Sequence, residues 1–298
     1  MPLPLVSVLM PSFNQRGFIE LSIKSILAQS YSKIEVIVAD GGSTDGTVEF
    51  LAEFSKQDPR VRWFSEEDNG PAQALNRALK RARGTLIGWL NSDDLYTLGA
   101  IERAVCVFDE HPSYLMVYGQ GEHVNVDGQF INRYPSLLPS TPYDSFREGC
   151  FICQPTVFFR RSMTLLAGNF DESLKTAFDF EYWMRVFRLF PRRIGFIDVV
   201  QAQSRLHDDC ITLKMRQIVI TEGMHVLYKY LGSAPKEWFL TYVNELLAQS
   251  KETNDTDGIN KQITHVLNDV SKYLLKEDLK RLECKLHDLL SYSILSAV

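Results

Sequence analysis

Three apolar runs in the first ninety residues each end in polar side chains. VSVLM (6–10) runs into Pro11-Ser12-Phe13-Asn14, and IEVIVAD (34–40) ends in Asp40 and is followed by GGSTDGT (41–47). TLIGWL (85–90) ends in Asn91-Ser92-Asp93-Asp94. A further strand-like run, VRWF, lies at 61–64. The segments between have helical spacing: Phe18, Leu21, Ile26 and Leu27; then Val48, Leu51, Ala52 and Phe54; then Ala74, Leu75, Ala78 and Leu79, with Pro71 near the first turn. Alternating strand and helix signals argue for a mainly parallel, doubly wound sheet. Ligands bind outside the carboxyl ends of such strands, so the three polar ends are expected to converge on one crevice.

Composition removes several alternatives. With 298 residues, 45% of them hydrophobic, the chain can build one large core or two. A net charge of −5 disfavours a generic nucleic-acid binder, which is usually basic, so no nucleic-acid partner is expected. No apolar run approaches the ~20 residues that span a bilayer. The MPLPLVSVLM start lacks a basic region and reads as a strand rather than a signal peptide. Five cysteines without a regular framework read as reduced thiols of a cytosolic protein, and the lone Cys150-x-x-Cys153 is not expected to hold zinc. There is neither a G-x-G-x-x-G fingerprint nor a G-x-x-x-x-G-K-[ST] loop, which disfavours dinucleotide binding and P-loop hydrolysis.

Further along, GAIERAVCVF (99–108) reads as a helix ended by His111-Pro112. Asp127-Gly128 between alternating segments signals a hairpin. TVFFRRS (156–162) reads as a strand, and SLKTAFDFEYWMRVFRLF (173–190) as a helix ended by Pro191. From about 214 the chain is helical in character, with a polar break at 251–258. The organisation expected is residues 1–213 followed by a helical region, 214–298. Val266, Val270, Leu275, Leu279, Leu282, Leu286, Leu289 and Leu290 form an apolar face there. Packing within the chain or in a homodimer is favoured over membrane attachment, because acidic residues are mixed among the lysines.

Candidate chemistry is concentrated in a few residues. Asp93 and Asp94, past a buried strand, suit Mg²⁺ or Mn²⁺, or cap the helix that follows. Asp40 can accept from a base or ribose; alternatively, the loop after it is a turn in which Ser43, Thr44 or Asp45 caps the next helix. Asp179 heads a stripe with Trp183, Val186, Phe187 and Phe190. Desolvation there raises a carboxyl and favours a base role, a helix cap or buried pair being the alternative. Glu181 is expected to face away and pair with Arg185 as an ordinary helix ion pair. His207 is a candidate metal or phosphate ligand, or a satisfied surface group. Arg160-Arg161 and Arg192-Arg193 read as solvated faces.

Taken together, residues 5–210 resemble the family 2 glycosyltransferases, inverting enzymes of GT-A fold that use nucleotide sugars. The resemblance rests on P-S-x-N, DGGSTDGT, DNGPAQALNRALKRARG (68–84) and LNSDD in that order. It implies a GT-A, Rossmann-like, mainly parallel central sheet flanked by helices, with a helical C-terminal extension. It implies that Pro11, Ser12 and Asn14 line the base and ribose pocket and that Asp40 contacts the base, usually uracil. Asp68, Gly70 and Asn76 would lie along the nucleotide and donor sugar. Asp93 would hold Mn²⁺ or Mg²⁺ with His207, which sits in a late R-x-H element. Asn91, Ser92 and Asp94 would serve the donor, Asp179 would be the catalytic base, and Gln154 and Trp183 would border the acceptor. A nucleotide-sugar donor, expected to be a UDP-sugar, and a glycan or lipid-linked acceptor follow from the resemblance. A cytoplasmic location is expected, with peripheral attachment at the inner membrane face as the alternative left open by lipid-linked acceptors. Two positions depart from the family pattern: Asn91 stands where an Asp opens the metal motif, and Phe178 where many members keep an acid. The rival readings are a sugar-1-phosphate nucleotidylyltransferase, whose Gly-rich basic loop PSFNQRG does not supply, and a degenerate nucleotide-sugar-binding subunit.

Overall fold

The structure, a computed structural model, describes residues 3–253 and 255–295, including their side chains except at 250–253, 256 and 287–295. By internal contacts the chain forms two compact units. One comprises the chain up to Tyr143 with Cys150–Cys210; the other comprises Asp144–Gly149 with the chain from Ile211 onward.

The first unit begins as the alternation predicts: β1 (Val6–Ser12), α1 (Ile19–Leu27), β2 (Ile34–Asp40), α2 (Thr47–Gln57), β3 (Val61–Ser65), α3 (Pro71–Arg81) and β4 (Leu86–Trp89). Every residue of β1, β2 and β4 is buried, as expected of strands covered on both faces. Val6, Val8 and Met10 share a core with Ile19, Ile23 and Ile26 of α1. α3 packs on β1 and β2 through Ala72, Ala74, Leu75 and Ala78, small side chains that let the helix approach closely. Pro71 occupies its first turn, where its missing N–H has no partner to lose.

β5 (Leu95–Tyr96), α4 (Ala100–Glu110), β6 (Met116–Val124), β7 (Phe130–Arg133), β8 (Phe158–Arg160), α5 (Arg161–Ala167), α6 (Phe178–Leu189) and β9 (Ile194–Arg205) complete this unit. The sheet has nine strands among the described residues, in the order β3-β2-β1-β4-β8-β6-β9-β5, with β7 on β6. Pairing is parallel at β3-β2-β1-β4 and at β6-β9, and antiparallel at β8, β5 and β7. The Asp127-Gly128 hairpin forms between β6 and β7, with Gly128 at φ 81°.

Three elements differ from the sequence reading. TVFFRRS yields only a three-residue strand, because Arg161 onward is already α5. α6 starts at Phe178 and not near 173, because Asp171–Thr176 form a polar connection. β9, which the sequence reading missed, is a twelve-residue strand with a register break opposite Gly119–Gln120.

The second unit contains α7 (Ile211–Lys214), α8 (Arg216–Leu231), α9 (Lys236–Thr253), α10 (Thr256–Val270) and α11 (Lys276–Leu295). Arg147 donates to the carbonyls of Leu231 and Ser233, satisfying the C-terminal end of α8, and Trp238 Nε1 donates back to the Arg147 carbonyl at 2.7 Å. Val266, Val270, Leu282 and Leu286 are buried within the chain, whereas Leu275 is exposed; the side chains of Leu289 and Leu290 lie outside the described residues. No described helix is long and apolar enough to cross a membrane.

Candidate active site

Strand register brings the polar ends together. Ser12 pairs with Asp40, and Asp40 with Ser65, so β1, β2 and β3 finish level. β4 follows with Leu9 opposite Trp89, which puts Asn91–Asp94 just past the same edge.

At this edge Pro11 and Ser12 are buried, and the Ser12 hydroxyl has no partner among the described residues. Asn14 is the one non-glycine residue with positive φ (52°) among those described, a conformation Asn tolerates. Its Oδ1 accepts from Thr44 N at 2.9 Å and its own N–H donates to Ser43 Oγ at 2.7 Å, which fastens the two loops together. Asp40 is almost wholly buried and accepts from the N–H groups of Gly42 and Ser43 and from the hydroxyls of Ser43 and Ser65. Its carboxylate thus organises the glycine loop. Asp68 presses on Gly41, where a Cβ would sit 2.9 Å from its Oδ2, so a larger residue there would push the Asp68 carboxylate aside. Burial raises the Asp68 carboxyl, helped by the charge of Asp40, while Gly70 N and Arg77 oppose the rise.

Asn76 departs from its expected place along the donor. It is buried, and its amide exchanges two bonds with the backbone of Phe170 (2.9 and 3.1 Å) and donates to Glu172 at 2.8 Å. The amide is therefore engaged with the loop that leads into α6. Lys175 Nζ donates to the Asn69 carbonyl at 2.6 Å, a second tie between this loop and the segment that carries Gly70.

The aspartate pair divides into two roles. Asp94 is buried; its Oδ1 accepts from Arg205 N at 2.9 Å and its Oδ2 from Asn91 Nδ2 at 3.1 Å. Burial, with the charge of Asp93 adding to it, pushes Asp94 well above the usual carboxylate range. Asp93 faces His207, with Oδ2 and Nε2 3.1 Å apart. Neither residue caps α4, whose first turn follows Gly99 at φ 78° without a side-chain cap. β9 explains the meeting: its last residue, Arg205, donates to the carbonyls of Asp93, Asn125 and Val126, and its guanidinium lies 5.2 Å from the Phe18 ring centre. His207 follows two residues later and packs on Phe18. Ser92 is buried, and its carbonyl accepts from Ser22 Oγ.

No group of three His, Cys, Asp or Glu side chains that could hold a metal occurs among the described residues. A carboxylate and an imidazole in contact nevertheless fit Mn²⁺ or Mg²⁺ in a substrate complex, where one or two protein ligands are completed by phosphate oxygens and water. The nitrogen donor suits Mn²⁺ better than Mg²⁺.

Asp179 stands in the first turn of α6. Its Oδ1 accepts from Phe180 N, yet burial outweighs that bond and raises the carboxyl to about 6. Burial makes Cys150 and Tyr134 weaker acids than usual, and the charge of Asp179 adds to that, which places all three groups in one neighbourhood. Phe178, where a family acid was expected, stacks on Trp89 at 5.4 Å. Glu181 does pair with Arg185, but it is buried and is not the surface pair expected from its spacing. Trp183, expected to border the acceptor, is wholly buried against Trp89 and Tyr182 and presents no exposed face. Gln154 is part-buried; its Nε2 donates to the Trp89 carbonyl and its Oε1 accepts from Asn91. Trp89, Tyr134 and Arg205 were not singled out for this region. Arg205 had a signal, the R-x-H spacing to His207, but Trp89 and Tyr134 read as ordinary strand residues.

The sequence pattern described as "Glycosyl transferase family 2" matches residues 7–165. Chondroitin synthase of Escherichia coli is 31% identical over 242 residues, covering 76% of this chain and 34% of that protein. The chain spans 30–35% of the length of the first curated relatives it matches. Among solved structures, S. aureus TarS 1-349 in complex with UDP-GlcNAc has a TM-score of 0.64 at 18% identity, covering 98% of this chain and 87% of that one. The mannosyltransferase PcManGT of Pyrobaculum calidifontis, in complex with GDP-Man and Mn²⁺, has a TM-score of 0.59 at 19% identity, covering 96% and 81%. These likenesses agree with the GT-A arrangement of a mostly parallel sheet flanked by helices and followed by C-terminal helices. With the pattern matched across the strand ends described above, the chain belongs to glycosyl transferase family 2.

Proposed function

We propose that the chain transfers a hexosyl or N-acetylhexosaminyl group, with inversion, from a UDP-sugar to a hydroxyl of a growing glycan. The observation that carries this reading is Asp179, a part-buried carboxyl that desolvation raises to about 6, in the same unit as the strand ends. A base that is ionised at neutral pH and still near that pH in basicity is suited to take a proton from an alcohol. Its Oδ accepts the acceptor's hydroxyl proton as that oxygen forms a bond to the anomeric carbon. The bond from this carbon to the diphosphate oxygen breaks on the opposite face, and its electron pair leaves with the diphosphate. An α-linked donor gives a β-linked product.

Asp93 and His207 would hold Mn²⁺ or Mg²⁺, which when bound neutralises charge on the departing diphosphate. Ser12, with its unpartnered hydroxyl, and the Asn14–Thr44 loops receive the nucleoside in this reading, while Asp40 and Asp68 shape the glycine loop beneath it. Catalysis falls to residues 1–213, with 214–298 as a helical extension. The UDP-GlcNAc complex of TarS, the Mn²⁺ complex of PcManGT and the name of the chondroitin synthase relative support the donor, metal and product class.

The test is nucleoside diphosphate release from a panel of nucleotide sugars with Mn²⁺, with and without EDTA. Release from a UDP-sugar that EDTA abolishes is expected. Pyrophosphate as the product, or UDP binding without turnover on any glycan acceptor, would overturn the reading.

A further inference from the structure

Asn91 occupies the position where the family pattern opens its metal motif with an acid, and its amide is held from three sides. Trp89 Nε1 donates to Asn91 Oδ1 at 2.9 Å. Asn91 Nδ2 donates to Gln154 Oε1 at 2.8 Å and to Asp94 Oδ2 at 3.1 Å. Gln154 Nε2 donates to the Trp89 carbonyl at 3.0 Å, which closes a ring of three residues.

The direction of this ring is not free. An indole N–H only donates and a main-chain carbonyl only accepts. Trp89 supplies one of each, so it orients both amides: Asn91 turns its oxygen to the indole, and Gln154 turns its nitrogen to the carbonyl. Asn91 must therefore present N–H groups to Gln154 and Asp94. A carboxylate at position 91 has none. It would face the Gln154 amide oxygen at hydrogen-bond distance, acceptor against acceptor, and set a second carboxyl against Asp94.

The ring joins three parts of the site: the end of β4, the 150–154 segment and, through the stacking of Trp89 on Phe178, the first turn of α6 beside Asp179. The 150–154 segment has little room to shift, because even a Cβ on Gly121 would collide with Cys153.

We propose that Asn91 is a positioning residue whose neutral amide holds Asp94 and Gln154 in place, and that it is not a weakened metal ligand. This rests on the transferase reading above. The two roles predict opposite signs for Asn91→Asp. A ligand position gains a charge and works at lower Mn²⁺. A positioning amide loses both donors, and the site is pushed apart.

The experiment compares the parent with Asn91→Asp and Asn91→Leu in nucleoside diphosphate release over a Mn²⁺ series. For both variants we expect kcat to fall by about a hundredfold, the scale of a misplaced reacting group, with no recovery on added Mn²⁺. The donor KM should stay within about threefold of the parent, as for a group that does not bind the ground state. A second readout needs neither metal nor turnover: the ¹⁵N–¹H signals of the Gln154 side-chain amide in the metal-free protein, which should move in both variants. Asn91→Asp protein that is as active as the parent, or activated at low Mn²⁺, overturns the proposal, as do unmoved Gln154 signals. If the parent itself turns over no donor, the transferase reading fails, and the Gln154 signals alone decide the ring.

Discussion

Asp179→Asn separates stability from activity in a way that only a raised, desolvated carboxyl produces. Burial lifts Asp179 from the ordinary 3.8 to about 6. In the window between these values the folded state holds the proton more tightly than the unfolded chain does. The contribution of Asp179 to stability is therefore fully present below 3.8 and is lost as pH rises through about 6. Above that the ionised group costs the fold about 3 kcal/mol, the shift converted at 1.36 kcal/mol per pH unit. Asn keeps an oxygen for Phe180 N–H and carries no charge. The variant should therefore be more stable than the parent at pH 8, by up to about 3 kcal/mol, and nearly equal to it at pH 4. Turnover should fall by about a thousandfold, the middle of the range for a lost general base. The parent's kcat/KM should lose about tenfold per pH unit below about 6, a slope absent from the variant. Urea unfolding at the two pH values, with nucleoside diphosphate release from pH 4.5 to 8, measures all three. A variant no more stable than the parent at pH 8, or one that keeps a tenth of its turnover, would refute the reasoning.

Three further outcomes follow from the same geometry. Asn76→Ala removes three bonds from a buried site and strands a backbone N–H and carbonyl at Phe170, so it should cost about 2–4 kcal/mol and lower kcat more than donor KM. Glu181→Ala leaves a part-buried Arg185 without its carboxylate and should cost about 2 kcal/mol in denaturant unfolding, whereas Glu181→Leu with Arg185→Met should recover most of that loss. His207→Ala should raise the Mn²⁺ concentration for half-maximal activity by about tenfold or more, with EDTA abolishing activity in both proteins; an unchanged Mn²⁺ requirement would remove His207 from the metal site.

The N-terminal half of the sheet was legible because its signals are local. β1, β2 and β4 are buried on both faces and so read as unbroken apolar runs, and the helices between them show their period directly. β9 was not legible: Asp198, Gln201, Gln203 and Ser204 interrupt its apolar pattern, and a register break accommodates the irregularity only once β6 lies alongside. α5 likewise took residues that favour a strand by composition, since β8 needs only three of them to bridge β4 and β6.

The candidate site divides the same way. Which residues carry chemistry was readable, because carboxylates, glycines and amides at the ends of apolar runs announce themselves by type and spacing. Which of those groups remain available, and which are used up inside the protein, was decided by tertiary structure. Asp40 and Asn76 look equally ready for a nucleotide, yet each is committed to bonds within the protein, Asn76 to a partner 94 residues away. Glu181 and Arg185 read as an ordinary helix ion pair from their spacing, and packing buries Glu181. Asp93 meets His207 across 114 residues, and Asn91 meets Gln154 across 63. Side-chain type and periodicity are properties of neighbours along the chain, and the sequence by itself determined them. Burial, hydrogen-bond partnership and the acidity that follows from them depend on residues far along the chain, which only folding brings together.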